Sequence, residues 1–292
     1  MARHFLTGEE LSATELTALV DRALELKAGR PAEGAIALAG KSVALVFQRP
    51  STRTRVSFEV GVNELGGSPL VLRGDEMQLS RGESVSDTAR VLSRYVDALV
   101  IRSGSHELVA ELAAGAEVPV VNALTPDHHP CQAIADVMTL TERFGDAAGR
   151  RLAYVGDGNN VARSLAIVGG IAGVEVAVAS PAGYELAEAH GAQLTRDPAA
   201  AVGGADAVYA DVWVSMGDDQ TADARREALG PYRVDADLMA AAADHAIALH
   251  CLPAHPGEEI TEDVLYGDRS AVWDQAENRL HAQKALLETL LT

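Results

Sequence analysis

Short runs of apolar and β-branched residues alternate with helical patterns along the chain, and this alternation limits the possible folds more than any other feature. In the first half, strands are predicted at residues 43–47, 98–101 and 118–124, and helices at residues 53–65, 85–95 and 107–114. In the second half, strands are predicted at residues 151–155, 174–179, 207–212 and 246–251, with helices between them. Strands that alternate with helices form parallel sheets. The chain is therefore predicted to be an α/β protein with doubly wound parallel sheets.

The length of 292 residues is sufficient for two domains that each bury their own core. A helix predicted at residues 132–144 ends in Gly145 and a polar turn, which favours a domain boundary in this region. We therefore assign residues 1–130 to a first domain and residues 131–274 to a second. The last helix, at about residues 275–292, has an apolar stripe and is expected to pack back on the first domain. The active site is expected in the cleft between the two domains.

The formal net charge of −18 at pH 7 argues against a nucleic-acid partner, because binding to a phosphate backbone requires a basic surface. The first eleven residues contain no apolar leader, and no stretch approaches the roughly 20 apolar residues of a membrane span. We therefore expect a cytoplasmic protein with no membrane partner. In that compartment its two cysteines, Cys131 and Cys251, are expected to be thiols and not a disulfide.

The segment Ser51-Thr52-Arg53-Thr54-Arg55 opens a helix directly after the first predicted strand. Unpaired amides and the helix dipole attract anions to such a position, and Arg53 adds a guanidinium that can grip phosphate oxygens in a bidentate manner. An ordinary Ser/Thr cap with exposed arginines is the alternative. Two arginines in a first helical turn oppose the dipole, however, and a bound anion would explain them.

Polar residues also follow the next two predicted strands, at the edge where open parallel sheets bind ligands. Arg102 follows one strand and could share the same phosphate or polarise a carbonyl. His129-Pro130-Cys131-Gln132 follows the other, and a neutral imidazole there could donate to a developing oxyanion. Taken singly, Arg102 is more often a solvated surface residue and His129 a packed loop residue.

The second half offers groups suited to an α-amino acid. Asp211 ends a predicted strand and provides a carboxylate for an ammonium group, while Ser215 and the following amides could hold a carboxylate. Cys251, in His250-Cys251-Leu252-Pro253, ends another strand and presents a thiol there. A simple Gly-containing loop and a small core cysteine are the alternatives.

Neither a cofactor nor a metal is predicted. Gly156-Asp157-Gly158-Asn159-Asn160 is similar to a dinucleotide fingerprint, but Val161 occupies the position of its third glycine. No acidic residue ends the following strand to bind a ribose. The His/Cys pairs at residues 129–131 and 250–251 lack the usual spacing of zinc ligands.

Taken together, five motifs resemble those of the ornithine carbamoyltransferase family in their order along the chain. They are Ser51–Arg55, His129–Gln132, Asp211–Gly217, His250–Pro253 and Glu277-Asn278-Arg279. The first two are shared by carbamoyltransferases generally, whereas Ser215-Met216-Gly217 and His250-Cys251-Leu252-Pro253 point to ornithine. The resemblance implies transfer of a carbamoyl group to the δ-amine of ornithine, giving citrulline in arginine biosynthesis.

The resemblance also implies roles for individual residues. Carbamoyl phosphate would be bound by Ser51, Thr52, Arg53, Thr54, Gln78, Arg102, His129, Gln132, Cys251, Leu252 and Arg279. Of these, Arg53, Arg102, His129, Cys251 and Arg279 would be catalytic. L-Ornithine would be bound by Leu124, Asn160, Asp211, Ser215 and Met216. The family forms homotrimers that share active sites, which would place the loop at residues 75–83 in the pocket of a neighbouring subunit.

Two departures from the family pattern are present. The segment at residues 181–200 is shorter than in many relatives, and Gln48-Arg49-Pro50 replaces a more usual charged approach to the phosphate motif. Two other functions remain open at this point. One is a carbamoyltransferase for putrescine or an acylated ornithine, and the other is a non-catalytic protein that binds carbamoyl phosphate or an amino acid.

Overall fold

A computed structural model describes residues 2–30, 36–78, 82–214 and 219–292. The chain divides into two compact units: Met1–Ala135 with Asn278–Thr292, and Asp136–Glu277. The boundary predicted at residues 130/131 thus lies five residues before the first division. Two of the predicted ornithine-binding residues, Ser215 and Met216, and part of the loop at residues 75–83 lie outside the described residues.

The first unit is built on a four-stranded parallel sheet with strand order β2-β1-β3-β4. Its elements are α1 (Ala13–Ala28), β1 (Ser42–Phe47), α2 (Thr52–Glu64), β2 (Ser68–Arg73), α3 (Val85–Leu92), β3 (Ala98–Arg102), α4 (His106–Gly115), β4 (Val120–Leu124), the start of α5 (Pro130–Phe144) and most of α11 (Val272–Leu291). The inner residues of β1 and β3 are fully buried, as expected of parallel strands that helices cover on both faces.

The second unit is built on a five-stranded parallel sheet with strand order β7-β6-β5-β8-β9. Its elements include β5 (Arg151–Val155), α6 (Asn160–Ile171), β6 (Glu175–Ala179), β7 (Gln193–Thr195), α7 (Pro198–Val202), β8 (Ala207–Ala210), α8 (Ala222–Leu229), α9 (Ala236–Ala240), β9 (Ile247–His250) and α10 (Glu262–Leu265). The prediction of two parallel-sheet α/β domains is confirmed.

The sequence did not predict β2 and β7, and both lie at sheet edges. β2 contains Pro69, which cannot donate a ladder hydrogen bond, and its residues are at least partly exposed. β7 has only three residues, none of them buried. In addition, β8 ends at Ala210 and β9 at His250, so Asp211 and Cys251 lie just beyond their strands and not inside them. Edge strands lack the apolar pattern that makes central strands recognisable.

No helix in the described part of the chain has the length and apolar character that a membrane crossing requires.

Helix α11 contacts α2 through a buried ion pair. The Lys284 side chain is fully buried, and its Nζ donates to Glu64 Oε2 at 2.7 Å. Gly61 permits this approach, because a Cβ at that position would lie 3.2 Å from Lys284 Cγ. Burial alone would raise the Glu64 pKa, but the Lys284 ammonium and the Arg30 guanidinium hold that pKa below its usual value. The pair therefore stabilises the fold when Glu64 is ionised.

We expect Lys284→Met to lower the free energy of unfolding by about 2 kcal/mol at pH 7, because it leaves Glu64 without its buried partner. Since the Glu64 pKa is depressed by folding, this contribution is complete above the usual carboxyl pKa of 4.5 and is lost as the pH falls through the folded-state value. Urea unfolding of both proteins at pH 7 and at low pH measures the difference.

Arg30→Met is the matched control, because Arg30 pairs with the same carboxylate from a more exposed position. We expect it to cost under about 1 kcal/mol. A Lys284→Met protein as stable as the wild type at pH 7 would contradict the prediction.

Candidate active site

The first turn of α2 contains the segment that the sequence predicts to bind an anion. Ser51 caps the helix and accepts a hydrogen bond from the Thr54 amide at 3.3 Å. No acidic residue occupies the first turn, while Thr52 and Arg53 are exposed beside it. The next arginine, Arg55, instead pairs with Glu59 along the helix. This helix N-terminus offers two hydroxyl groups, Arg53 and a dipole that no acidic side chain offsets. Such an arrangement favours an anion.

Arg279 reaches the same turn from α11. Its Nη2 donates to Thr54 Oγ1 at 2.9 Å, and both residues are nearly completely buried. The two residues are 225 positions apart in sequence. Arg279 therefore contacts the segment that was predicted to bind phosphate, and its own role stays a prediction.

His129 is buried at the start of α5, near two cations. Its pKa is held well below the usual value, chiefly by burial and then by the positive charges of Arg279 and Arg102. The imidazole is therefore neutral at physiological pH and can donate one N–H without carrying charge. Arg102, His129 and Arg279 thus lie in one electrostatic cluster, as the predicted site requires. Gln132 is buried in the first turn of α5, and its backbone N–H donates to the His129 carbonyl.

A cavity of about 730 Å³ borders the capping residue Ser51. It is lined by Phe47, Gln48, Arg49, Pro50, Ser51, Thr52, Arg55, Val56, Glu59, Val71, Arg73 and Asp75. Three of these side chains are guanidinium groups and two are carboxylates, so the opening beside the phosphate segment is highly charged. Arg53, Thr54 and His129 do not line this cavity.

Two further predicted residues of the first unit occupy different environments. Leu124 ends β4 and is half-buried, whereas Gln78 is exposed in the loop after β2. Neither has a described contact with the cluster around His129 in this single chain. Their roles remain predictions.

In the second unit, Asp211 is held from both sides just beyond β8. Asn159 Nδ2 donates to Asp211 Oδ2 at 2.7 Å, and Cys251 Sγ donates to Asp211 Oδ1 at 3.0 Å. The carboxylate is almost completely buried. The residues that follow β5, β8 and β9 therefore meet at Asp211. Of the predicted residues, Asp211 and Cys251 are in direct contact.

The sequence did not predict that Asn159 contacts Asp211. Asn159 caps α6, where its Oδ1 accepts hydrogen bonds from the backbone amides of Val161 and Ala162. The same Oδ1 also accepts a hydrogen bond from the Tyr154 hydroxyl at 3.2 Å. Its amide group is thereby oriented with Nδ2 towards Asp211. An Asn immediately before a helix was a visible capping signal. The neighbouring Asn160, which was predicted to bind ornithine, is half-buried at the first position of the same helix.

The glycines before Asn159 shape the turn. A Cβ on Gly158 would lie 2.2 Å from the backbone nitrogen of Leu186, and Gly156 has a φ of 143°. Between them, Asp157 forms an ion pair with Arg225, whose Nε donates to the Trp213 carbonyl at 2.6 Å. Arg225 thus ties this turn to the segment that follows Asp211. Close backbone packing accounts for Gly158, and the backbone conformation accounts for Gly156.

Two buried tyrosines lie beneath the carboxylate. Burial raises the pKa of Tyr154 and Tyr209 well above the usual value, and nearby carboxylates, including Asp211, raise it further. Both phenols therefore remain protonated and act as hydrogen-bond donors. The Tyr154 hydroxyl supports Asn159 and, through it, Asp211.

Two groups of side chains have the donor atoms of a metal site. Asp211, His250 and Cys251 form one, and His255, Glu258 and Glu259 form the other, each with its ligand atoms within 4.8 Å of one another. The first three already have hydrogen-bond partners inside the protein. Glu258 pairs with Arg226, whose positive charge opposes a cation.

Two family models cover almost the whole chain. The carbamoyl-P binding domain of aspartate/ornithine carbamoyltransferase matches residues 3–142. The Asp/Orn binding domain of the same family matches residues 148–290. Residues 143–147 separate the two matches, between the first division of the compact units after Ala135 and the start of β5 at Arg151.

Individual relatives give the same assignment. An ornithine carbamoyltransferase of Acidothermus cellulolyticus is 54% identical over 308 aligned residues, which cover 100% of this chain and 97% of the relative. The crystal structure of ornithine carbamoyltransferase from Thermus thermophilus superposes with a TM-score of 0.92 at 43% identity and covers 100% of both chains. The enzyme from Pyrococcus furiosus has a TM-score of 0.92 at 47% identity, covering 98% of this chain and 96% of its own. This chain belongs to the aspartate/ornithine carbamoyltransferase family.

Proposed function

We propose that the protein transfers the carbamoyl group of carbamoyl phosphate to the δ-amine of L-ornithine, with release of L-citrulline and phosphate. The observation that carries the choice of acceptor is the Asp211 carboxylate, fixed between Asn159 and Cys251 beyond the strands of the second unit. A buried carboxylate whose two oxygens are held in place is a preorganised partner for an α-ammonium group. The full-length relatives that bear the name ornithine carbamoyltransferase support the same acceptor.

The donor is assigned to the residues of the first unit. We assign the phosphate to Ser51, Thr52, Arg53 and Thr54 at the start of α2, with Arg102. The carbonyl oxygen and amide of the carbamoyl group are assigned to His129, Arg279 and Gln132. A neutral His129 flanked by two cations suits this task, because it donates to the oxyanion while the guanidinium groups supply the charge.

The reaction needs no protein nucleophile. The lone pair of the neutral δ-amine attacks the carbonyl carbon, a C–N bond forms, and the carbonyl oxygen becomes an oxyanion. Collapse of this tetrahedral intermediate breaks the C–O bond to phosphate, and the leaving phosphate takes the proton from the amine. Proximity of the two substrates and stabilisation of the oxyanion supply the catalysis.

We further propose that the acceptor side includes Leu124, Asn160, Ser215 and Met216, with Cys251 and Leu252 near the reacting groups. The protein is proposed to act in the cytoplasm in arginine biosynthesis and to assemble as a homotrimer, with Gln78 contributing to a neighbouring site. Exposed apolar side chains at Leu70 on the edge strand β2 and at Val56 on α2 support a subunit contact in that region.

An assay of the purified protein with carbamoyl phosphate tests the acceptor directly. We expect citrulline from L-ornithine with a kcat/KM at least about 1000-fold above that for putrescine, which lacks the groups that Asp211 and its neighbours would bind. Product formation is measured by a ureido-specific colour reaction and mass spectrometry. Equal or faster carbamoylation of putrescine or N-acetylornithine would refute the proposal, as would ligand binding without turnover.

Arg53→Ala is expected to reduce kcat/KM for carbamoyl phosphate by about 100-fold, roughly 3 kcal/mol, because the change removes a charged hydrogen-bond donor to phosphate. Arg55→Ala is the control, since Arg55 lies on the same helix and pairs with Glu59. Steady-state kinetics of both variants decide the matter. If Arg53→Ala stays within a few-fold of the wild type, Arg53 does not grip the phosphate.

Asp211→Asn is expected to raise KM for ornithine by roughly tenfold or more, because the isosteric amide cannot neutralise the α-ammonium. The dissociation constant for carbamoyl phosphate should change less than about twofold, since the change lies in the acceptor half. Asp206→Asn is the control, because Asp206 precedes β8 whereas Asp211 follows it. Initial-rate kinetics and calorimetric titration measure these effects. An unchanged KM for ornithine in Asp211→Asn would remove Asp211 from the acceptor site.

A further inference from the structure

Glu259 is a completely buried carboxylate that the proposed reaction does not use. Its Oε1 accepts from His250 Nε2 at 3.1 Å and from the His255 amide at 2.5 Å. Its Oε2 has no hydrogen-bond partner among the described residues. A buried carboxylate with one unsatisfied oxygen is unfavourable for stability. His255 Nδ1 lies 3.8 Å from Oε2, so Glu259 acts on its surroundings through the two hydrogen bonds that Oε1 accepts.

The hydrogen bonds around His250 define which ring nitrogen carries the proton. The Leu252 amide donates to His250 Nδ1 at 2.8 Å, so Nδ1 is an acceptor and bears no hydrogen. Nε2 must then carry the proton that it donates to Glu259. The ring is completely buried and is held at both nitrogens. Glu259 therefore selects the tautomer that can accept from the Leu252 amide.

The Leu252 amide lies in the sharpest turn next to the proposed acceptor site. Leu252 has a φ of 59°, a left-handed conformation that a leucine adopts only when its surroundings hold it. The preceding residue is Cys251, whose Sγ donates to Asp211 Oδ1. The position of that thiol depends on the direction of the backbone at residues 251–252. Hydrogen bonds thus connect Glu259 to His250 and His250 to the Leu252 amide, and the peptide bond between Cys251 and Leu252 continues this connection to the residue that contacts Asp211.

We propose that Glu259 is a positioning residue: through His250 it holds the Cys251–Leu252 turn in the geometry that the ornithine side of the site requires. The inference rests on the proposed function for its kinetic consequence. Its structural consequence, the restraint on Cys251, can be measured without any turnover.

Three substitutions at Glu259 test separately the charge of the side chain and the position of its acceptor oxygen. Glu259→Gln keeps an acceptor oxygen at the same distance but removes the charge. Glu259→Asp keeps the charge but withdraws the acceptor by one methylene group. Glu259→Leu removes the acceptor altogether. Glu258→Gln is the matched control, because the adjacent Glu258 is partly exposed and pairs with Arg226.

The first readout is the rate at which iodoacetamide alkylates Cys251. Burial raises the pKa of the Cys131 thiol to about 12, so the reaction reports on Cys251. Loss of the hydrogen bond to Asp211 releases the Cys251 side chain, so that its sulfur becomes more accessible to the reagent. We expect the alkylation rate to rise in the order wild type and Glu259→Gln, then Glu259→Asp, then Glu259→Leu, with roughly tenfold between the extremes.

The second readout compares the change in KM for ornithine with the change in KM for carbamoyl phosphate. We expect Glu259→Asp to raise KM for ornithine several-fold while KM for carbamoyl phosphate stays within about twofold, whereas Glu259→Gln and Glu258→Gln match the wild type. A general loss of structure would change both constants together and lower the melting temperature. Wild-type behaviour of Glu259→Asp in both readouts, or a larger effect of Glu259→Gln than of Glu259→Asp, would overturn the proposal. If the wild type forms no citrulline, the proposed function fails, and the alkylation series still decides the role of Glu259.

Discussion

The hydrogen-bond ladder between parallel, fully buried strands is the constraint on which the rest of the molecule depends. Helices cover both faces of such a sheet, so side chains along the strands must be apolar, as in β1 and β8. Polar groups can face a ligand only where the ladder stops. Since all strands of a sheet run in one direction, their carboxyl ends lie along one edge. In the first sheet Arg102 is the last residue of β3, and Ser51 and His129 follow their strands. In the second sheet Asn159, Asp211 and Cys251 follow their strands.

This constraint explains how much of the fold could be predicted from the sequence. Central strands are recognisable as apolar runs, and both ends of β5 agree with the prediction. The edge strands β2 and β7 were missed, because one contains Pro69 and both are exposed, so neither has the expected pattern. Helix α1 was also missed, although Ser12 and Glu15 form a capping box that the sequence displays. Local capping signals were available and were not used.

The candidate site was predictable where one motif supplies its own neighbours and was not where distant residues meet. The Ser51 cap lies within three residues of its partner, so the motif implies the geometry. By contrast, Asn159 and Asp211 are 52 positions apart, and only the pairing of β5 with β8 brings them together. The contact between Thr54 and Arg279 likewise requires the last helix to return to the first unit. The resemblance to a family named Arg279 and Asp211, but it did not reveal Asn159 as the residue that orients the carboxylate.

Buried polar groups in this protein differ in what they accomplish. Lys284 and Glu64 satisfy each other, and their effect is confined to the contact between two helices. The pKa of His129 is instead lowered by burial and by the positive charges of Arg279 and Arg102, which keeps its imidazole neutral. Asp211 is fixed by two donors yet remains close to a strand end where a ligand can approach. The charges of a structural ion pair neutralise each other. A group that binds a substrate must instead keep a hydrogen-bond donor or acceptor available for it. In the proposed function, the two units would therefore differ by charge: the first offers cations and a neutral donor to an anionic phosphate, and the second offers an oriented carboxylate to an ammonium group.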